Sequence, residues 1–259
     1  MIPFRIGDKR VELPTDWDEV TLQQAIKLSS IPESSEYDNN IHILSSLTRL
    51  TENECSRIAV QDYVTYLLPM LQFINEQFDE NDLMNQPLPD KVYLGLRKFD
   101  KYYPPGQMIW AQHLNFESIA SNKKLNDLQK IPDIIATCIQ KPDQYSEEVS
   151  EELKPFILKL PLFEAMSISG YYLKAITSFY KTSKLNSKEE YTNEQIRAGI
   201  KEFSKFGAFN SIDALAGGDI TKWEAVVRLP MSDVVLKLKM NQQQYRYEKK
   251  YHDIMLKKK

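Results

Sequence analysis

Phe206-Gly207-Ala208-Phe209-Asn210-Ser211-Ile212-Asp213-Ala214-Leu215-Ala216-Gly217-Gly218-Asp219-Ile220-Thr221-Lys222-Trp223-Glu224-Ala225-Val226-Val227-Arg228-Leu229-Pro230 is the stretch from which the fold is read. Gly217-Gly218 ends one helix, because glycine takes the left-handed turn of a C-terminal cap without steric cost. Asp219 then caps a second helix, expected over residues 220 to 229, by accepting from an N–H of its first turn. Leu229-Pro230-Met231-Ser232-Asp233 opens a third. Trp223 sits between Ile220 and Val227 at an amphipathic position and reads most simply as core. The stretch holds no histidine, no cysteine and no serine–base pair. It is built to pack and to bind.

The Leu-Pro step recurs upstream. Leu160-Pro161-Leu162-Phe163-Glu164 and Ile131-Pro132-Asp133 show the same order of apolar residue, proline and acidic residue. Proline suits the first helical position, whose N–H has no partner in any case. The acidic residue that follows is favoured by the helix dipole. The apolar residue before the proline can staple the start of the helix. These three starts are expected to punctuate an all-helical fold and not to mark a sequence repeat. The helix from Pro161 is expected to reach about Lys181, with Met166, Gly170, Leu173, Ala175 and Ile176 toward a core and Tyr171, Tyr172, Phe179 and Tyr180 at its margins. The last helix, from Met231 to about Lys258, would be roughly 40 Å long. Met231, Val234, Val235 and Leu238 make one side of its first half apolar, and its polar end is expected to project.

Toward the N-terminus, Phe4-Arg5-Ile6 and Arg10-Val11-Glu12-Leu13 alternate around Gly7-Asp8-Lys9, the pattern of a small β-hairpin. Two strands alone are barely stable, so the hairpin reads as an ornament. Thr21-x-x-Gln24 and Thr51-x-x-Glu54 are capping boxes that start helices. Asp38 is expected to cap a helix through Ile41, Leu44, Ser45 and Thr48. Residues 62 to 77 read as a further helix with Tyr63, Tyr66, Leu67, Met70, Leu71 and Ile74 on its apolar side, kinked or restarted at Pro69. Residues 79 to 90 are acidic and hold two prolines, so they are the clearest linker. They divide the chain into an expected hairpin-plus-helices part, 1–78, and a second helical part, 91–259. Periodicity does not decide between strand and helix for residues 92 to 96. Residues 107 to 118 read as helix, and 184 to 193 as a polar linker. The fold class expected is mainly α: a multi-helix globular fold with a short N-terminal β-hairpin and a long C-terminal helix.

Composition narrows the functional classes. With 259 residues, 42% apolar and 27% charged, the chain can bury a sizeable core and looks like a soluble globular protein. Only eight glycines argue against hairpin-rich β folds and Gly-rich phosphate loops. A net charge of −3 gives no overall pull toward nucleic acid or an anionic membrane. Residues 1 to 10 lack a signal-peptide run. The most apolar run, residues 64 to 74, is too short and mixed to span a bilayer.

Few residues point to chemistry. His42, His113 and His252 lie in separate segments without ligand-like spacing, and structural or surface roles are expected for them. Cys55 and Cys138 are far apart and read as packing residues in a reducing cytoplasm. The acidic runs at 79–82 and 147–152 read as solvated surface rather than as paired catalytic carboxylates. Gly217-Gly218-Asp219 has neither a preceding strand nor a following Lys-Thr, so it reads as punctuation and not as a phosphate nest. The basic, tyrosine-rich end of the last helix is different. Tyr245, Arg246, Tyr247, Lys249, Lys250 and Tyr251 suit, in order, a solvated helix end, an acidic or helical protein partner, and nucleic acid. Trp223 joins them as a candidate partner-binding residue.

Phe209, Ile212, Leu215-Ala216, Gly218-Asp219, Lys222-Trp223 and Leu229-Pro230 form a pattern that resembles the C-terminal region of bacteriophage tail assembly chaperone-like and related morphogenesis proteins. The opening Leu13-Pro14-x-x-Trp17-x-x-Val20-Thr21-Leu22-x-Gln24 resembles them too. So do residues 131 to 136, Leu160-Pro161 and Gly170-Tyr171-Tyr172-Leu173. The resemblance implies a non-enzymatic factor without a cofactor, acting in the host cytoplasm during assembly. Its partners would be phage tail or virion proteins, chiefly helical segments of a tape-measure protein held in apolar grooves, with the basic helix steering them. A structural component of the neck, tail or baseplate is the alternative, and homo-oligomers are compatible with either.

Overall fold

The structure is a computed structural model that describes residues 1–6, 8–32, 36–75, 87–183, 196–197, 199, 202 and 205–257. It is mainly α-helical. Strands β1 (Ile2–Ile6) and β2 (Lys9–Leu13) pair antiparallel, with Phe4 opposite Val11. Helices α1 (Leu22–Ser29), α2 (Glu36–Leu47) and α3 (Glu52–Cys55) follow, then a mixed helix over 60–75. Strands β3 (Val92–Leu94) and β4 (Arg97–Phe99) make a second hairpin. The remaining helices are α4 (Trp110–Ser121), α5 (Asp127–Cys138), α6 (Glu147–Ile157), α7 (Leu162–Ser183), α8 (Phe209–Ala216), α9 (Trp223–Val227) and α10 (Met231–Lys257). No described helix is long and apolar enough to cross a membrane.

The chain folds as two compact units that interleave along the sequence. The first comprises Met1–Lys101, Asn122–Ala136 and Ser146–Tyr171; the second comprises Tyr102–Ser121, Thr137–Tyr145 and Tyr172–Lys259. Of the linker expected at 79–90, residues 79–86 lie outside the described residues, as does the polar linker at 184–193.

In the first unit, Thr21 stands opposite Pro161 in an antiparallel bridge. The Leu22 N–H donates to the Leu160 carbonyl at 2.9 Å, and the Leu162 N–H to the Val20 carbonyl at 2.8 Å. Both bonds flank the Thr21–Pro161 pair, so the N–H that proline lacks is not needed there. The Pro161 carbonyl accepts from the Ala165 N–H at 3.0 Å, which starts α7. Thr21 and Gln24 form the capping box expected for α1. The Gln24 amide also donates to the Leu47 carbonyl at the end of α2, 2.5 Å away. Val20, Leu22, Leu162 and Ala165 are buried around this junction. Each large aliphatic among them contributes on the order of 1.5–3 kcal/mol.

The second unit builds the same junction from other residues. Ile109 stands opposite Pro230. The Trp110 N–H donates to the Leu229 carbonyl at 2.9 Å, and the Met231 N–H to the Met108 carbonyl at 2.8 Å. The Gln112 side chain accepts from the Ile109 N–H at 3.1 Å. Its amide reaches the Thr137 carbonyl at 3.0 Å and the Gln140 carbonyl at 3.3 Å, around the end of α5. Trp110, Ile212, Ala216, Val226, Met231, Val234 and Val235 form the core beside it.

Several expectations change. The three proline starts are not equivalent: Pro161 and Pro230 precede their helices as cap residues, whereas Pro132 lies inside α5. Asp38 is within α2 rather than at its cap. The 60–75 segment leaves the plain α-helix at Tyr63, before the proline. Residues 63–67 form a π turn, closed by the Leu68 N–H on the Tyr63 carbonyl, and residues 68–75 are 3-10. Pro69 has no N–H with which to continue an α-helical ladder. Tyr66 is exposed, while Phe73 is buried and packs edge-on to Trp17 with ring centroids 5.4 Å apart. The N-terminal hairpin is more than an ornament, because Val11 and Leu13 are buried. Residues 92 to 94 are strand, turned by Gly95 at φ 65°. Helix α4 starts at Trp110, since residues 107 to 109 are taken by turns and the bridge. Tyr172, expected at a margin, is fully buried. The second helix expected after Asp219 begins as a 3-10 turn at Ile220–Lys222 and ends, as α9, at Val227.

Candidate protein-binding surfaces

Helix α10 begins in the core and leaves it. Met231, Val234 and Val235 are buried, and Leu238 packs against their cluster. Tyr245, Arg246, Tyr247, Lys249, Lys250 and Tyr251 all lie farther along this helix and are exposed. Tyr247 and Tyr251, one turn apart, stack with centroids 6.1 Å apart and planes at 19°. Gln244 donates to Glu248 at 2.6 Å across the next turn of spacing. Six of the seven predicted site residues therefore share one element.

Trp223 does not join them. It is half-buried on α9, where its ring meets Phe209 at 5.6 Å and its indole N–H donates to the Asp213 carboxylate at 3.3 Å. It packs against the core of the second unit. That is the core role its position implied.

The sequence did not single out a groove in this unit. Leu114, Phe116, Glu117, Ala120, Phe209 and Ile212 line an open depression of ≈ 700 Å³ between α4 and α8. Helix α8 is fixed there by its ends. Gly217, at φ 71°, terminates it, and the Asp219 side chain accepts from the Thr221 N–H at 3.0 Å to start the next turn. Phe209 is 56% exposed at the first position of α8. A large apolar ring left in water beside an apolar floor marks a surface suited to contact. The available signal was Phe206 and Phe209 flanking Gly207-Ala208, too aromatic for a plain turn.

The titratable groups are mostly tied into structure. His113 is buried, and its Nε2 lies 2.8 Å from the Pro105 carbonyl, so Nε2 carries the proton and donates. Nδ1 then accepts from the Tyr180 hydroxyl at 3.2 Å. Burial lowers the His113 pKa and keeps the ring neutral, partly opposed by the bond to Pro105. Burial, followed by the neighbouring Glu117 carboxylate, raises that of Tyr180. His42 pairs with Glu52 at 3.0 Å on the surface of the first unit, and His252 is exposed. Cys55 and Cys138 are both buried; burial and the adjacent glutamates push the Cys55 thiol up to about 11, and burial raises Cys138 further. Neither thiol is poised as a nucleophile. Among the described residues, no three His, Cys, Asp or Glu side chains group so as to hold a metal ion. Comparison of the chain with protein-family models, curated proteins and solved structures finds no match.

Proposed function

We propose that the chain is a non-enzymatic phage morphogenesis factor, acting as tail assembly chaperones do. It holds a helical, apolar segment of a tape-measure or tail protein in the groove between α4 and α8, in the host cytoplasm during assembly. The observation that supports this most is the exposed Phe209 ring at the edge of an apolar floor made by Leu114, Phe116, Ala120 and Ile212. An amphipathic helix offers apolar anchors at i, i+3, i+4 and i+7, and a groove of this kind takes two or three of them. Glu117 on the rim adds one polar contact, and the basic residues of α10 add long-range attraction for an acidic partner. The role requires no cofactor.

The test is co-expression of the chain with each tail and tape-measure protein of its phage, read as recovery of a soluble complex. Phe209→Asp removes the exposed anchor without touching the buried core, so capture is expected to drop about tenfold or more. Unchanged capture by that variant would exclude the groove. Stoichiometric presence of the chain in purified particles, with no tail protein captured, would favour the structural virion component instead.

A further inference from the structure

The two junctions make α7 and α10 equivalent helices: each follows a Leu-Pro step bonded to the start of another helix. Their outer faces have opposite fates. In α7 every residue from Ala165 to Gly170 is buried. Matching Leu162 to Met231 places Ser167, 2% exposed, at the position of Leu236, 59% exposed. The chain covers the outer face of α7 and leaves that of α10 open.

That open face is organised. At 3.6 residues per turn, Leu236, Met240, Tyr247, Tyr251 and Ile254 fall within about 60° of one another, and roughly opposite the core-facing Met231, Val234, Val235 and Leu238. All five are exposed. Lys239, Arg246 and Lys250 form a second row beside the stripe, about 80° away on the same count. An apolar stripe edged by cations calls for an apolar counter-surface on an acidic body.

The chain itself supplies one. The first unit holds 15 Lys and Arg against 24 Asp and Glu, a net charge of −9. The second holds 18 against 12, a net of +6, and the two together give the −3 of the whole chain. On the first unit, Val60, Val64 and Leu68 recur at four-residue spacing and are all exposed. We propose that the outer stripe of α10 docks on the Val60–Val64–Leu68 face of the first unit of a second copy. The contact is heterologous: each chain offers α10 from its second unit and an acidic apolar face from its first. Such a contact repeats into a ring or an open filament, depending on whether its rotation closes. The inference shares the basic residues of α10 with the proposed function but uses none of the groove residues, so Phe209→Asp should leave self-association unchanged.

Sedimentation velocity and light scattering on the full chain, over a wide concentration range at low and high salt, test it. The mass is expected to rise above the 30.2 kDa of one chain and to fall back as salt is added. Two variants, Tyr247→Glu/Ile254→Glu and Val64→Glu, are each expected to remain single chains, with circular dichroism confirming that both are folded. Mixed together they should form a 1:1 pair and stop, because each retains the half that the other lacks. Four results overturn the proposal. The first is a wild-type chain that stays at one mass throughout. The second is a Val64→Glu variant that still self-associates, which would mean that α10 pairs with itself. The third is a mixture that fails to pair. The fourth is salt-sensitive binding of a labelled DNA duplex by a chain that remains single.

Discussion

Pro230 stands opposite Ile109 with hydrogen bonds on both sides of the pair and none within it. The site asks nothing of the amide that proline lacks, while the proline carbonyl accepts from Val234 at 3.2 Å to begin α10. The pyrrolidine ring thus costs nothing in the folded chain and limits the unfolded one. Pro230→Ala is expected to destabilise by about 0.5–1 kcal/mol. The effect should appear as a lower urea midpoint with an unchanged slope, and Pro161→Ala should match it. A stabilising effect of either substitution would mean that the ring is strained.

The two glutamines that brace the junctions are bonded alike but buried differently. Gln112 is 0% exposed and makes three hydrogen bonds, whereas Gln24 is half-buried. Gln112→Ala leaves the Ile109 N–H without its acceptor and takes a buried donor from the Thr137 and Gln140 carbonyls. The expected cost is about 2–4 kcal/mol. At Gln24 water can replace the lost partner, so Gln24→Ala should cost about 1 kcal/mol. Chemical denaturation of the two variants decides; equal costs would show that burial does not set the difference.

Much of this architecture is legible in the sequence, because local chemistry dictates it. Thr21-x-x-Gln24, Thr51-x-x-Glu54, Asp219 and Gly217 announce caps that form as read. Met231, Val234 and Val235 declare the core face of α10. What the sequence withholds is pairing at a distance. Leu160-Pro161, Leu229-Pro230 and Ile131-Pro132 look alike, yet among the described residues only the first two form a β-bridge, and their partners lie 140 and 121 residues away. The groove is hidden for the same reason, because Phe116 and Phe209 come from helices far apart in the chain. The second hairpin stayed undecided between strand and helix because three-residue strands carry too little alternation to settle it.

His113 gives the second unit a sensitivity to acid. Its folded pKa lies below the ordinary 6.5, with burial the main cause. An unfolded chain therefore binds a proton that the folded one refuses. Stability is complete above pH 6.5, the ordinary value, and falls as pH drops below it toward the lowered folded value. Melting temperature measured from pH 7.5 down to 5.5 should decline in the native chain. His113→Gln cannot take up that proton, so its melting temperature, although lower throughout, should stay flat over the same range. A parallel decline in the variant would assign the effect to other groups.

Gly217 and Gly95 share a left-handed backbone, at φ 71° and 65°, but differ in what surrounds them. A Cβ added at Gly217 meets nothing within 4 Å. Gly217→Ala should therefore cost only the backbone strain, about 1–2 kcal/mol. At Gly95 the same Cβ would lie 2.9 Å from the ring of Phe156. Phe156 is itself exposed, so its ring can swing away and lose its packing on the β3–β4 turn. Gly95→Ala is expected to cost more than Gly217→Ala by the value of that lost contact. The cycle Gly95→Ala, Phe156→Ala and the double variant isolates it. With the ring already removed, Gly95→Ala should cost no more than Gly217→Ala. An excess that survives in the double variant would locate the strain in the turn itself and not in the ring above it.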